Sequence, residues 1–221
     1  FLQWATYYGG NQNEIINAIC TDSLNNVYIV GSTNSTNVFS TPGAHQETLN
    51  SANWNATDGF IAKFSPDGQR IWGTYFGGDK FDLVRYCTVS NDNFLYIIGE
   101  SNSNNNMIAT PGSYLPTTSA NSSNGFLAKF SLDGVRVWGT YLGVDLITEF
   151  CVIKNDNLYI SGITINETIG TPGTYLENLT IQPDSQFGNP VNYNSYLMKF
   201  NVQTQQKIWA TYFFDGIKKV A

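Results

Sequence analysis

A seven-residue phrase returns along this chain at nearly even intervals: WATYYGG at 4–10, WGTYFGG at 72–78, WGTYLGV at 138–144 and WATYFFD at 209–215. The tryptophans that open it, Trp4, Trp72, Trp138 and Trp209, are separated by 68, 66 and 71 residues. A fixed period of that size constrains the fold before any local reading. Each unit must be one supersecondary element that buries its faces against its neighbours.

Within the period the same signals recur in the same order. A Cys-bearing run comes first, NAICTD at 17–22, VRYCTV at 84–89 and TEFCVI at 148–153. A second run follows a turn: NNVYIVGST at 25–33, NFLYIIGES at 93–101 and NLYISGIT at 157–164. Then come Thr-Pro-Gly at 41–43, 110–112 and 171–173, and a third run, GFIAKF at 59–64, GFLAKF at 125–130 and SYLMKF at 195–200. The runs are short and rich in Val, Ile, Tyr, Phe and Thr, which favours strands. Ser65-Pro66-Asp67-Gly68 and Ser131-Leu132-Asp133-Gly134 carry Gly where a tight turn needs positive φ. No helical period of useful length is present. Each unit therefore reads as four antiparallel strands, the make-up of a β-propeller blade. The repeated phrase is its fourth, outer strand, with Trp and Tyr filling the gap between blades.

The order W-[AG]-T-Y-x-G-G, N-x-x-Y-I-x-G, T-P-G and G-F-[IL]-A-K-F-x-x-D-G resembles the SBBP repeat, the bacterial "seven-bladed beta-propeller" repeat. The resemblance runs through three copies plus the leading phrase. It weakens in the last copy, which carries an insertion at 182–194 and Val202-Gln203-Thr204 where the others have an Asp-Gly turn. The expected fold is thus all-β, a β-propeller of four-stranded antiparallel blades at about 11–76, 79–142 and 145–214. Residues 2–8 are expected to form an outer strand belonging to another blade. Seven blades of this size exceed the chain, and it begins at Phe1 rather than Met, so it reads as part of a larger propeller. An open blade face would show about half a dozen large apolar side chains, on the order of 10 kcal/mol of unrealised burial. The rest of the propeller or neighbouring chains are expected to cover such faces.

The formal net charge of −6, with only 11 Lys and Arg, argues against nucleic-acid partners. No apolar run is long enough for a membrane-spanning helix, so no membrane insertion is expected. Cys20, Cys87 and Cys151 fall at one repeat position and read as buried small residues, too far apart to bridge. His45 is the single histidine. Its counterparts, Tyr114 and Tyr175, point to aromatic packing. Glu14, Asp82 and Asp22 read as turn-forming or strand-end carboxylates, with Thr148 and Ile153 standing in their places in the third copy. Lys63, Lys129 and Lys199 share one register and read as snorkelling side chains or, alternatively, as a cationic ring. No metal-binding, nucleotide-binding or catalytic motif accompanies these residues, so neither a cofactor nor enzymatic activity is expected.

Variable Asn/Ser/Thr-rich loops join the second and third strands, where binding specificity often sits on a rigid scaffold. Five N-x-[ST] triplets, at Asn34, Asn55, Asn121, Asn166 and Asn178, fall mostly in them. Within Asn53-Trp54-Asn55, Trp54 lies outside the repeated phrase and is the candidate for stacking on a partner or sugar. The resemblance implies display outside the cell, on the bacterial surface. The expectation is a secreted or cell-surface protein- or glycan-interaction scaffold, in adhesion or surface assembly. The alternatives are a secreted carbohydrate-active enzyme completed by further blades, and a ligand-free spacer.

Overall fold

The computed structural model describes residues 2–37, 39–50, 57–104, 107–118, 122–179 and 194–213. Every regular element among them is a strand. The first sheet holds β1 (Glu14–Thr21), β2 (Val27–Thr33), β3 (Asp58–Phe64) and β4 (Arg70–Phe76). The second holds β5 (Asp82–Val89), β6 (Phe94–Ser101), β7 (Asn124–Ser131) and β8 (Arg136–Val144), and the third β9 (Leu146–Lys154), β10 (Asn157–Thr164), β11 (Asn194–Asn201) and β12 (Gln206–Phe213). Each is an antiparallel meander in chain order. Three four-stranded blades therefore stand side by side, with β1, β5 and β9 as the inner strands.

The residue pattern explains the meander. The turn after β3 closes with the Gly68 amide donating to the Ser65 carbonyl at 2.9 Å, and the turn after β7 with Gly134 donating to Ser131 at 3.1 Å. Both glycines have positive φ, 79° and 84°. The third blade lacks that glycine. There Gln205 takes the left-handed conformation at φ 53°, and the Asn201 carboxamide accepts from the amides of Gln203 and Thr204. Each inner strand also carries one bulge, at Asn17, Arg85 and Glu149. Opposite the bulges sit Gly31, Gly99 and Gly162, where an added Cβ would come within 2.0 Å of a backbone carbonyl.

Both faces of a blade are apolar. On the first blade, Tyr28, Val30, Ile61, Trp72 and Phe76 face the second blade and join its Cys87, Ile97, Ala128 and Phe130 in one cluster. Ile29, Phe60, Ala62, Phe64 and Tyr75 face the other way. That second face is not bare. Phe39, from the loop after β2, covers its outer half together with Tyr8. The unrealised burial expected of an open face is smaller for that reason, and it is concentrated on the inner strand, where Ile16 and Ile19 are 51% and 65% exposed.

Each Thr-Pro-Gly has a job the turn signal did not foretell. The amides of Thr41, Thr110 and Thr171 donate at 2.9 Å to Gly73, Gly139 and Ala210 on the outer strands. Three to five residues on, the carbonyls of Gln46, Leu115 and Leu176 accept from Tyr75, Tyr141 and Tyr212. The long loops thereby cover the outer edge of every blade, which would otherwise offer unpaired groups to another strand.

Candidate functional site

The repeated phrase acts across the seam between blades. The Trp72 indole donates at 3.0 Å to the Leu132 carbonyl in the turn of the second blade, and its ring lies over Gly134, where a Cβ would come within 3.0 Å. Lys63, directly opposite Trp72 in the ladder, donates to the same carbonyl at 3.0 Å and lies 3.9 Å from Asp22. Lys63 and Lys129 are buried, and Lys129 sits 3.6 Å above the Phe94 ring. Lys199 lies over Tyr159. These lysines are bolts within and between blades. Lys63 and Lys129 do not reach out to water, and Lys199 is half-buried.

His45 packs as its counterpart Tyr114 does, whereas Tyr175 is 76% exposed and stacks on Phe213 of its own blade. The His45 ring meets Phe130 of the second blade edge-on at 5.6 Å, and Tyr114 meets Phe200 of the third at 5.7 Å. Burial lowers the His45 pKa to about 4, with Arg136 adding repulsion, and its Nε2 has no hydrogen-bond partner among the described residues.

Cys87 and Cys151 are buried as expected, and Cys20 departs from expectation. Cys87 pairs with Ile97 and Cys151 with Ile160, but Cys20 pairs with Tyr28, one step further along than the equivalent Ile29. That single step turns Cys20 to the opposite face of its sheet. Cys20 therefore looks forward to the second blade while Cys87 looks back at the first. The two thiols face each other across the seam, because inner strands lie where neighbouring blades converge. That contact and burial raise the Cys87 pKa well above the usual thiol range, and burial raises that of Cys151. All three are free thiols.

The carboxylates hold the chain. Glu14 accepts from the Gly10 amide at 3.1 Å and from the hydroxyls of Thr33 and Ser35. Asp82 occupies the same ladder position, accepting from the Gly78 amide at 2.6 Å and the Ser103 hydroxyl at 2.8 Å. Asp82 is fully buried and its other oxygen has no partner among the described residues, and burial raises its pKa to about 6. The ladder aligns Leu146 with these two, not Thr148. Asp22 accepts from the Leu24 and Asn26 amides, the Asn26 carboxamide and the Tyr28 hydroxyl. Burial pushes its pKa up, but those hydrogen bonds together hold it below the usual range.

Two clefts open beside the seams. One of about 500 Å³ lies on the rim between the Thr41–His45 loop and the turn at Asp133–Arg136. Another of about 560 Å³ lies where the three inner strands converge, lined by Asn17, Tyr86, Phe150, Tyr159 and Leu197 among others. Its aromatic wall is Tyr86 and Phe150, edge to face at 5.8 Å, and the Asn17 carboxamide is fixed by donating to the Val84 carbonyl at 2.8 Å. Such a surface stacks and hydrogen-bonds. Its ionisable groups include Tyr86 and Cys151, and burial raises the pKa of both. Nothing in the sequence flagged this cleft, since Asn17, Tyr86 and Phe150 are ordinary strand residues. The sequence candidates Asn53, Trp54 and Asn55 lie outside the described residues.

Bladed four-stranded sheets seamed in this manner define an all-β propeller architecture. Residues 3–39 match the SBBP family model, described as a beta-propeller repeat. The matched stretch runs from the leading phrase through β1 and β2. No curated protein matches the chain.

Proposed function

We propose that this chain is a non-catalytic propeller module, secreted or displayed at the cell surface, that binds a protein or glycan partner. The observation that carries the reading is the inner-strand cleft, whose Tyr86 and Phe150 rings and fixed Asn17 carboxamide suit the stacking and amide hydrogen bonding that sugars and peptide segments accept. The repeated carboxylates support it too, because Glu14, Asp22 and Asp82 are engaged in holding turns and strand ends. Three long polar loops leave the same edge of the three blades and enlarge the available surface.

The test is a glycan array together with a polysaccharide-degradation screen on the whole chain. Retention of a glycan with no product released, weakened at least tenfold by Phe150→Ala, supports the proposal. Turnover of any polysaccharide overturns it. Trp54→Ala, run in parallel, asks whether the loop candidate contributes to the same binding.

A further inference from the structure

Residues 2–10 form no strand, yet they dock on the first blade as an outer strand docks on the next blade. The Trp4 indole donates to the Pro66 carbonyl at 2.8 Å, as Trp72 does to Leu132 at 3.0 Å. Gly68 lies under the Trp4 ring as Gly134 lies under Trp72, with an added Cβ at 2.8 and 3.0 Å. Tyr8 lies 5.7 and 5.5 Å from Phe60 and Phe64, and Phe76 lies 5.2 and 5.8 Å from their counterparts Phe126 and Phe130. Gly10 donates to Glu14 as Gly78 does to Asp82.

The residues that an outer strand turns to its own blade have no company here. Tyr75, Tyr141 and Tyr212 are buried and donate to the carbonyls of Ser35, Ser103 and Asn166, each two residues past the second strand of its own blade. Tyr7, their counterpart, is 103% exposed. The inner strand gives the same signal independently. Ile16 and Ile19 are 51% and 65% exposed, whereas their ladder equivalents Val84 and Cys87, at 0% and 1%, are buried against the preceding blade.

We infer that residues 2–8 are the preset fourth strand of a further blade, and that this face takes the first three strands of one more copy of the repeat, lacking a fourth. The three existing blades specify the fit. Lys63, Lys129 and Lys199 lie opposite the tryptophan of the phrase, Ile61, Leu127 and Leu197 opposite its threonine, and Phe60, Phe126 and Tyr196 opposite its first tyrosine. The incoming third strand therefore sets a lysine opposite Trp4, an aliphatic residue opposite Thr6 and an aromatic one opposite Tyr7. Its preceding loop supplies the carbonyl for the Tyr7 hydroxyl. A second copy of this chain fits poorly. Its last blade already owns β12, and the Trp209 it would bring needs the place on Pro66 and Gly68 that Trp4 occupies.

The experiment joins a copy of residues 79–134 ahead of Phe1, which preserves the three-residue spacing from turn to tryptophan seen before Trp138. Amide exchange at residues 4–8 is expected to slow at least a hundredfold relative to the 221-residue chain, and Tyr7 acetylation by N-acetylimidazole at least tenfold. Unchanged exchange and acetylation in a folded four-blade chain overturn the inference. The 221-residue chain carries its own test should the fusion misfold. There Trp4→Ala and Tyr8→Ala must each lower the melting temperature while Tyr7→Asp leaves it unchanged. Failure of that pattern overturns the docking, and a concentration-dependent dimer that protects Tyr7 overturns the choice of occupant.

Discussion

Asp82 and His45 should oppose each other in one pH window, so that the parent chain hides what each variant reveals. Burial holds the Asp82 pKa near 6 against 3.8 for an unhindered aspartate, with Asp79 nearby adding repulsion. Between those values the folded chain binds a proton that the unfolded chain has released, so stability falls as pH rises, by about 3 kcal/mol at ~1.36 kcal/mol per pKa unit. His45 runs the other way. Its folded pKa of about 4 against 6.5 means the unfolded chain binds the extra proton, so stability rises with pH across that interval. The half-buried ring discounts its share to ~2 kcal/mol. The two slopes nearly cancel. Asp82→Asn keeps an oxygen for the Gly78 amide and Ser103 hydroxyl while placing an unpartnered NH2 where the lone carboxylate oxygen was. At ~1 kcal/mol for that group, the variant should gain about 2 kcal/mol at pH 7 and show stability climbing from pH 4 to 6.5. His45→Tyr, the residue type at 114 and 175, should instead lose about 3 kcal/mol between pH 4 and 6. Urea titrations followed by tryptophan fluorescence, at half-unit steps from pH 4 to 7.5, read both slopes. Asp22, held below the usual range, contributes stability lost only as pH falls below about 4, outside the window. Parallel profiles for the parent and Asp82→Asn would refute the reasoning, since Asp82 would then ionise as it does in water.

Four further outcomes follow from the seams. Trp72→Ala removes a nearly buried indole and leaves the Leu132 carbonyl with Lys63 alone, for a loss of about 3–5 kcal/mol in urea unfolding. Gly134→Ala should also destabilise, because φ is +84° and the Cβ meets the Trp72 ring. Tyr28→Phe removes one of the two donors to the buried Asp22 Oδ2, which keeps the Asn26 carboxamide, and should cost ~1 kcal/mol, whereas Tyr96→Phe deletes a buried hydroxyl without a partner among the described residues and should be neutral or stabilising in the same assay. Glutathione disulfide should join Cys20 to Cys87, seen as one bridged peptide pair by non-reducing mass mapping, and leave Cys151 unpaired. A bridge involving Cys151 would contradict the register described above.

The blades were legible because the period, the β-branched and aromatic runs and the Asp-Gly turns agree with one another, and twelve strands fall within the repeats that those signals mark. The faces were harder to read. The turn after β1 spans residues 22–26 between paired Thr21 and Val27, while the turn after β9 spans only Asn155 and Asp156. Counting from Cys to the next strand's Tyr therefore aligns side chains that point opposite ways, and the Cys20 contact went unseen. Lys63 and Lys129 misled for a related reason. In a sheet buried on both faces, alternation marks which neighbour a residue meets and not whether it meets water. The cleft at Tyr86 and Phe150 left no sequence trace because it is made by the convergence of three strands distant along the chain.

The third blade shows which part of the seam is obligatory. It has lost the Asp-Gly turn, yet Trp138 is as buried as Trp72, at 7% against 9%. In place of a glycine beneath the indole, Val202 is buried in the same cluster as Trp138 and Phe200, at the position where the other turns carry Pro66 and Leu132. The left-handed turn residue survives as Gln205, so the backbone still reverses at a non-glycine cost that Asn201 offsets by accepting from two turn amides. The constant element is therefore an apolar turn residue presented to the tryptophan of the preceding blade. The glycine is one means of letting the ring approach, and each repeat is held at its spacing by the blade that follows it.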